Sequence, residues 1–248
     1  MVPPALQAEG VVKQYPGGGA PAVEGFDVTV RQGELFGLLG PNGAGKTTVI
    51  SMMTTILKPS GGEMHLLGFR IGSDNHSIKK CIGLVPQEIA LFQEMTAQEN
   101  LWFFGRLYGL SGARLRERIA DCLEFIGLTD RGNQKVITYS GGMKRRLNLA
   151  AGILHEPQLL FLDEPTVGID AQSRNLIMEK LLDLNRCGMT MVYTTHYMEE
   201  VERLCCRVAI MDRGRVIGEG SPRELINQGG CMSLEELFLS MTGKRLRD

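Results

Sequence analysis

The chain has 248 residues, of which 43% are hydrophobic and 22% charged, and a formal net charge of -1. These are ordinary globular proportions, enough for one large domain with a sizeable core. The near-neutral balance gives no global footprint for nucleic acid, and no apolar run approaches the roughly 20 residues of a membrane span.

The opening "MVPPALQAEG" lacks a basic start and an apolar stretch. It does not read as a secretory signal, so the chain is expected to stay in the cytosol. "EGVVKQY" and "AVEGFDVTV" follow as strands of partial alternation, separated by the turn-rich "PGGGAP". "GELFGLLG" is a short apolar strand ending in glycines. A helix is expected from Gly45 through "KTTVISMMTTIL", stopped by Pro59, Ser60, Gly61 and Gly62. "KCIGLVPQ" reads as another strand, cut by Pro86.

From Thr96 to about His155 the texture becomes helical, with apolar residues spaced by three or four. Thr96 and Glu99 fit a capping box at the first of these helices, and "SGGMKRRLNLAAGIL" begins the last. Strands return in "LLFLDE" and "TMVYTTH", around a helix from about Gln172 to Arg186. "RVAIMDRGRVIGEG" reads as a hairpin turning at Arg213–Gly214, and helical pieces near "PRELINQ" and "SLEELFLSMTG" finish the chain. Alternating strands and helices argue an α/β core with a parallel sheet, carrying an antiparallel β decoration at its N-terminus and an inserted all-helical block. The cysteines, Cys81, Cys122, Cys187, Cys205, Cys206 and Cys231, form no CxxC pair and have no His cluster beside them. They read as reduced core thiols.

The chemistry concentrates in "GPNGAGKTT", the residues Gly40, Pro41, Asn42, Gly43, Ala44, Gly45, Lys46, Thr47 and Thr48. The pattern G-x-x-x-x-G-K-[ST], between a strand and a helix, lets backbone N–H groups and a helix N-terminus surround phosphate oxygens. Lys46 is expected to reach the β- and γ-phosphates, and the Thr47 hydroxyl to ligate Mg²⁺. Such a loop needs a second carboxylate for the metal. Asp163, ending the apolar strand of "LLFLDEP", is placed for it, and Glu164 beside it is placed to polarise an attacking water. If the next strand lies alongside, its terminal His196 emerges near the same γ-phosphate.

Phosphate loop, "SGG", "LDEP" and strand-end His, in this order, resemble the ATP-binding-cassette ATPases over nearly the whole chain. The resemblance implies one cassette across residues 1–248. Its core spans about residues 1–87 and 158–221, its helical part about 88–157, and its C-terminal helical tail about 222–248. It also implies ATP hydrolysis with Mg²⁺ by a head-to-tail pair of cassettes, a homodimer being favoured, each ATP lying between two chains. The bound nucleotide would meet Ser140, Gly141 and Gly142 of the opposite chain. Ser140 would cap its helix while the hydroxyl and the glycine amides face outward. Tyr15 resembles the residue that stacks on adenine, Gln87 the one that senses Mg²⁺ and γ-phosphate, and Asp170 the segment that crosses to the partner.

The match departs from the common pattern at Tyr139 and Met143, where Leu and Gln are usual. Those departures, and the tail "LEELFLSMTGKRLRD", are similar to the exporters of drugs, antibiotics and polysaccharides akin to daunorubicin-resistance ATPases. The resemblance then implies separate transmembrane permease subunits and a position on the inner face of the cell membrane. Of Trp102, Phe103 and Phe104, at least two are expected in the core, and one is a candidate to meet a membrane subunit. Two rival classes share the motifs: a soluble cassette ATPase acting on ribosomes or DNA, and a non-hydrolysing regulator. A single cassette, no heptad run, near-zero charge and an intact Glu164 and His196 weigh against them.

Overall fold

The computed structural model describes residues 3–243. The antiparallel sheet holds β1 (Leu6–Lys13), β2 (Val23–Val30), β4 (Gly61–Leu66) and β5 (Phe69–Arg70) in the order β2-β1-β4-β5. β2 alternates buried and exposed residues along most of its length, because one face is packed and the other open. The second sheet holds β3 (Leu35–Leu39), β6 (Ile82–Val85), β7 (Leu159–Asp163), β8 (Thr190–Thr195), β9 (Arg207–Asp212) and β10 (Arg215–Gly220), in the order β10-β9-β3-β8-β7-β6. All its pairings are parallel except the hairpin β9–β10. β3, β7 and β8 are buried at every position, as strands covered on both faces must be.

Alternation within these strands divides the core. Phe36 and Leu38 of β3, with Leu159 and Phe161 of β7, pack toward the antiparallel sheet and α1 (Lys46–Met53). Leu35, Leu39, Leu160 and Leu162 pack on the other face. There they join side chains of α3 (Ala97–Leu107), α4 (Gly112–Phe125), α5 (Gly141–Ile153), α6 (Ala171–Arg186), α7 (Met198–Leu204), α8 (Pro222–Gly229) and α9 (Leu234–Thr242). α3, α4 and α5 lie in the chain between β6 and β7, and the Thr96–Glu99 capping box opens α3.

Several elements differ from expectation. α1 ends at Met53, one turn before Leu57. The Thr54 hydroxyl donates to the Ile50 carbonyl at 2.8 Å, Thr55 turns left-handed at φ 62°, and the Ile56 and Leu57 amides both close on the Ser51 carbonyl. β4, β5 and α2 (Asn75–Cys81) were not anticipated. Met64 and Leu66 are the buried side chains of β4, and Ile78 that of α2, so neither carries a readable apolar period. α7 is a further element beyond those expected; its Met198, Val201 and Leu204 repeat every three residues and are all buried. Cys187 and Cys206 are exposed, which corrects the reading of all six cysteines as core thiols. Cys122 is buried, and burial pushes its thiol up to about 11, so it stays protonated and unreactive. Of the tail, residues 244–248 lie outside the described residues, as do residues 1 and 2.

One histidine fastens the helical block to the sheet. The His155 ring stacks on Tyr108 with centroids 3.5 Å apart, and its Nε2–H donates to the Ile82 carbonyl at 2.9 Å. Burial holds this imidazole below its ordinary 6.5, against the opposing hydrogen bond. The unfolded chain therefore binds a proton that the folded chain refuses. The neutral ring's contribution to stability is complete above about pH 6.5 and is lost as pH falls toward the depressed folded-state value. Chemical denaturation is expected to show lower stability at about pH 5.5 than at about pH 7.5. His155→Gln should flatten that slope, and an unchanged slope would place the acid sensitivity elsewhere.

Candidate functional site

Four parallel strands bring the predicted residues to one edge. Register places Leu39 opposite Thr195 and Asp163 opposite Thr194, with β6 beside β7. The loops leaving β3, β6, β7 and β8 therefore carry Gly40–Thr48, Gln87, Glu164 and His196 off the carboxyl ends of adjacent strands, where open α/β sheets bind ligands. A cleft of about 360 Å³ opens there, lined by Ala22, Asn42 to Thr48, Gln87 and Glu164.

The loop's backbone is imposed by its glycines. Gly45 has φ 103°, and a Cβ there would come 2.7 Å from the Ala22 carbonyl oxygen. A glycine at that place lets the chain turn into α1 with its first amides facing the cleft. Lys46 heads the helix yet is buried. Its Nζ donates to the Gly40 and Pro41 carbonyls at 2.8 and 3.2 Å and pairs with Glu164 Oε1 at 3.0 Å. Thr47 is exposed at the cleft, whereas Tyr15 stands at its margin, 42% exposed, with its hydroxyl 3.4 Å from Thr48 Oγ1. Lys13 Nζ lies over the Tyr15 ring, 5.4 Å from its centroid.

Glu164 has a left-handed backbone, φ 45°, which is uncommon for a side chain other than glycine. The turn is held by Thr194, whose carbonyl and hydroxyl both accept from the Glu164 amide, at 3.2 and 3.0 Å. The conformation swings the carboxylate back over the strand end, between Lys46 and His196 Nδ1, the latter at 3.1 Å from Oε2. Strain of this kind persists only where the surroundings over-determine it, commonly at working sites. Asp163 is directed by the same Thr194, whose hydroxyl donates to Oδ1 at 2.6 Å. Thr194 thus orients both carboxylates. Nothing in its sequence setting distinguishes it from an ordinary strand threonine.

Ser140, Gly141 and Gly142 are elsewhere. None of Tyr139 to Met143 lines the cleft. Ser140 caps α5, its Oγ accepting from the Met143 amide at 3.2 Å, and both Ser140 and Gly141 are exposed. Gly142 is buried, and a Cβ there would overlap Ser173 Oγ at 2.0 Å. That close approach brings the mouth of α5 against the N-cap of α6, Asp170. The Ser173 amide and then its hydroxyl, at 2.9 and 2.7 Å, hold the Asp170 carboxyl below the usual carboxylate range. Ser140–Gly142 and Asp170 form one surface, separate from the cleft lining.

Arg145 escaped the sequence reading because it sits in a basic run. Its buried guanidinium donates to the carbonyls of Gln87 and Val167, the latter at 3.1 Å. It therefore ties α5 to both the Gln87 loop and the loop after Glu164. Among the aromatic trio, Phe103 and Phe104 cluster with Phe92, at 4.9 and 6.3 Å between centroids. Trp102 is 55% exposed beneath Arg106.

Comparison with known proteins meets this geometry. A family model described as ABC transporter matches residues 23–167. The linearmycin resistance ATP-binding protein LnrL of Bacillus subtilis is 48% identical over 95% of this chain and 75% of its own length. Nod factor export ATP-binding protein I of Rhizobium sp. is 45% identical over 93% and 76%. The daunorubicin/doxorubicin resistance ATP-binding protein DrrA of Streptomyces peucetius is 43% identical over 89% and 66%. Among solved structures, a dimeric ATP-binding cassette in a post-hydrolysis state bound to ADP and Pi superposes with a TM-score of 0.79. It is 27% identical, over 87% of this chain and 98% of that one. A chain so matched across its phosphate loop and its Asp163–Glu164 strand belongs to the ABC transporter family, as an ATP-binding, ATP-hydrolysing subunit of the exporter type.

Proposed function

We propose that two copies of the chain close head to tail on two ATP molecules, the cleft of each meeting the Ser140–Gly142 surface of the other. The observation that carries this reading is the separation of the two surfaces: the cleft lining contains no residue of Tyr139 to Met143, while Ser140 and Gly141 are exposed beside Asp170. An exposed helix N-terminus attracts anions, and a second chain's nucleotide supplies one.

In this arrangement Gly40 to Thr48 wrap the phosphates, Tyr15 stacks on adenine, and Lys46 leaves Glu164 to pair with the β- and γ-phosphates. That exchange frees the Glu164 carboxylate to accept a proton from the attacking water. His196, now on Glu164, holds that carboxylate and stabilises charge on the γ-phosphate. Thr47, Gln87 and Asp163 offer hydroxyl, amide and carboxylate oxygens, the hard donors Mg²⁺ takes, and this ion is commonly held by few protein groups plus substrate phosphates. Bound there, Mg²⁺ would neutralise charge on the phosphate oxygens. Asp170, beside the Ser140–Gly142 surface, crosses to the partner.

No helix among the described residues is long and apolar enough to cross a membrane. We read the chain as docking on separate transmembrane permease subunits at the inner face of the membrane. The helical part of about residues 88–157 would stand between those subunits and the core of about 1–87 and 158–221, the tail of about 222–248 following. The exposed Trp102 is the member of its trio suited to that contact. Light scattering with saturating Mg²⁺ and ATP should show a dimer that is absent without nucleotide. A chain that stays monomeric when ATP is bound would overturn the sandwich.

A further inference from the structure

Outside the cleft, the most deeply buried carboxylate has no role so far. Glu200, on α7, is 2% exposed. Its Oε1 accepts from the Thr166 hydroxyl at 2.7 Å, and its Oε2 from Tyr193 and Thr195 at 2.8 and 2.7 Å. Arg174 Nε of α6 stands 3.7 Å from Oε1, and its guanidinium lies over the Tyr197 ring at 4.7 Å. Tyr197 in turn packs on His196 with centroids 4.1 Å apart. Burial, and then the neighbouring Glu200 charge, push the Tyr193 phenol well up, so it remains a donor.

The positions of the donors give the cluster its meaning. Thr166 lies two residues after Glu164, on the segment leading to Asp170, and Thr195 immediately precedes His196. Thr195 Oγ1 also accepts from the Tyr197 amide at 3.0 Å, fixing the backbone on the far side of His196. A buried carboxylate with three hydroxyl donors is costly to desolvate and is retained where its network specifies one arrangement. We propose that Glu200 is a positioning residue for hydrolysis, its carboxylate locking the segment that follows Glu164 to the strand end that carries His196. The proposal rests on the assignment of Glu164 and His196 to the reaction.

Glu200→Gln is the informative change. The amide oxygen can serve Tyr193 and Thr195, but the NH₂ group then faces Thr166 and Arg174: the Thr166 hydroxyl loses its charged acceptor and must turn to accept a weaker neutral bond, and Arg174 is left facing a donor. ATPase assays should show kcat lowered by about 10-fold or more, with KM for ATP within about twofold of wild type and a near-normal melting temperature. Thr166→Val, which leaves the Arg174 contact intact, should lower kcat less, and the double variant should lose less than the product of the two single losses, because both act on one link. A wild-type kcat, a KM that rises in step with the fall in kcat, losses that multiply in the double variant, or a kcat loss matching a loss of folded protein would each overturn the proposal. Glu164→Gln, measured alongside, separates the two levels. If it stays active, the reading of the catalytic centre fails. If it is inactive while Glu200→Gln is normal, the positioning role alone fails.

Discussion

Glu164→Gln should keep ATP binding while lowering turnover by about 10²–10⁴-fold, the usual contribution of a general base. The change is isosteric and retains an oxygen for Lys46, 3.0 Å away in the native pair. This matters because Lys46 is 5% exposed. Removing its buried partner outright, as in Glu164→Ala, would cost about 3–5 kcal/mol of stability and confuse a catalytic loss with a folding one. Gln also removes a negative charge that would face the γ-phosphate, so the variant should accumulate as an ATP-held dimer. Phosphate release, nucleotide titration and gel filtration measure the three consequences. Near-normal hydrolysis would remove Glu164 from the role of base.

Ser140→Arg should abolish turnover by a different route. Losing the hydroxyl that accepts from Met143 removes a helix cap, a cost of about 1 kcal/mol that a chain of this size tolerates. The larger effect is steric. A guanidinium at the exposed mouth of α5 fills the space where a partner's phosphate would seat. ATP binding by the same chain should be unchanged, since the cleft lining includes no residue of this segment. Loss of an anion-stabilising contact commonly costs about 10²–10³-fold in rate, and blocked closure should cost at least that. Weakened ATP binding by the isolated variant chain would instead place Ser140 at its own chain's nucleotide.

Much of the site was legible because its residues follow strands that announce themselves. Leu35–Leu39 and Leu159–Asp163 are apolar runs and Thr190–Thr195 is rich in β-branched residues, and the chemistry follows the end of each. The second tier was not legible. Thr194 holds the Asp163 carboxylate and the Glu164 backbone, Arg145 joins two loops, and Glu200 gathers three hydroxyls, yet each depends on at least one neighbour 30 or more positions away in the chain. Burial of Gly142 against Ser173 is likewise a tertiary fact, invisible in "SGG". Among the fold elements, α2 and β4 were lost because few of their side chains are buried. α1 is shorter than its sequence suggests because helix-compatible residues continue past a left-handed Thr55.

The central claim is that a working site is built from two chains. It is tested most directly by mixing two inactive variants, Lys46→Ala and Ser140→Arg. In a head-to-tail mixed dimer both lesions fall in one site, and the other combines an intact cleft with an intact Ser140–Gly142 surface. Random pairing makes half of the dimers mixed with one good site of two, so about a quarter of the wild-type sites should return. ATPase activity recovered on mixing, toward that level, is the result this arrangement predicts. A mixture as inactive as either parent, with mixed dimers demonstrably present, would contradict it.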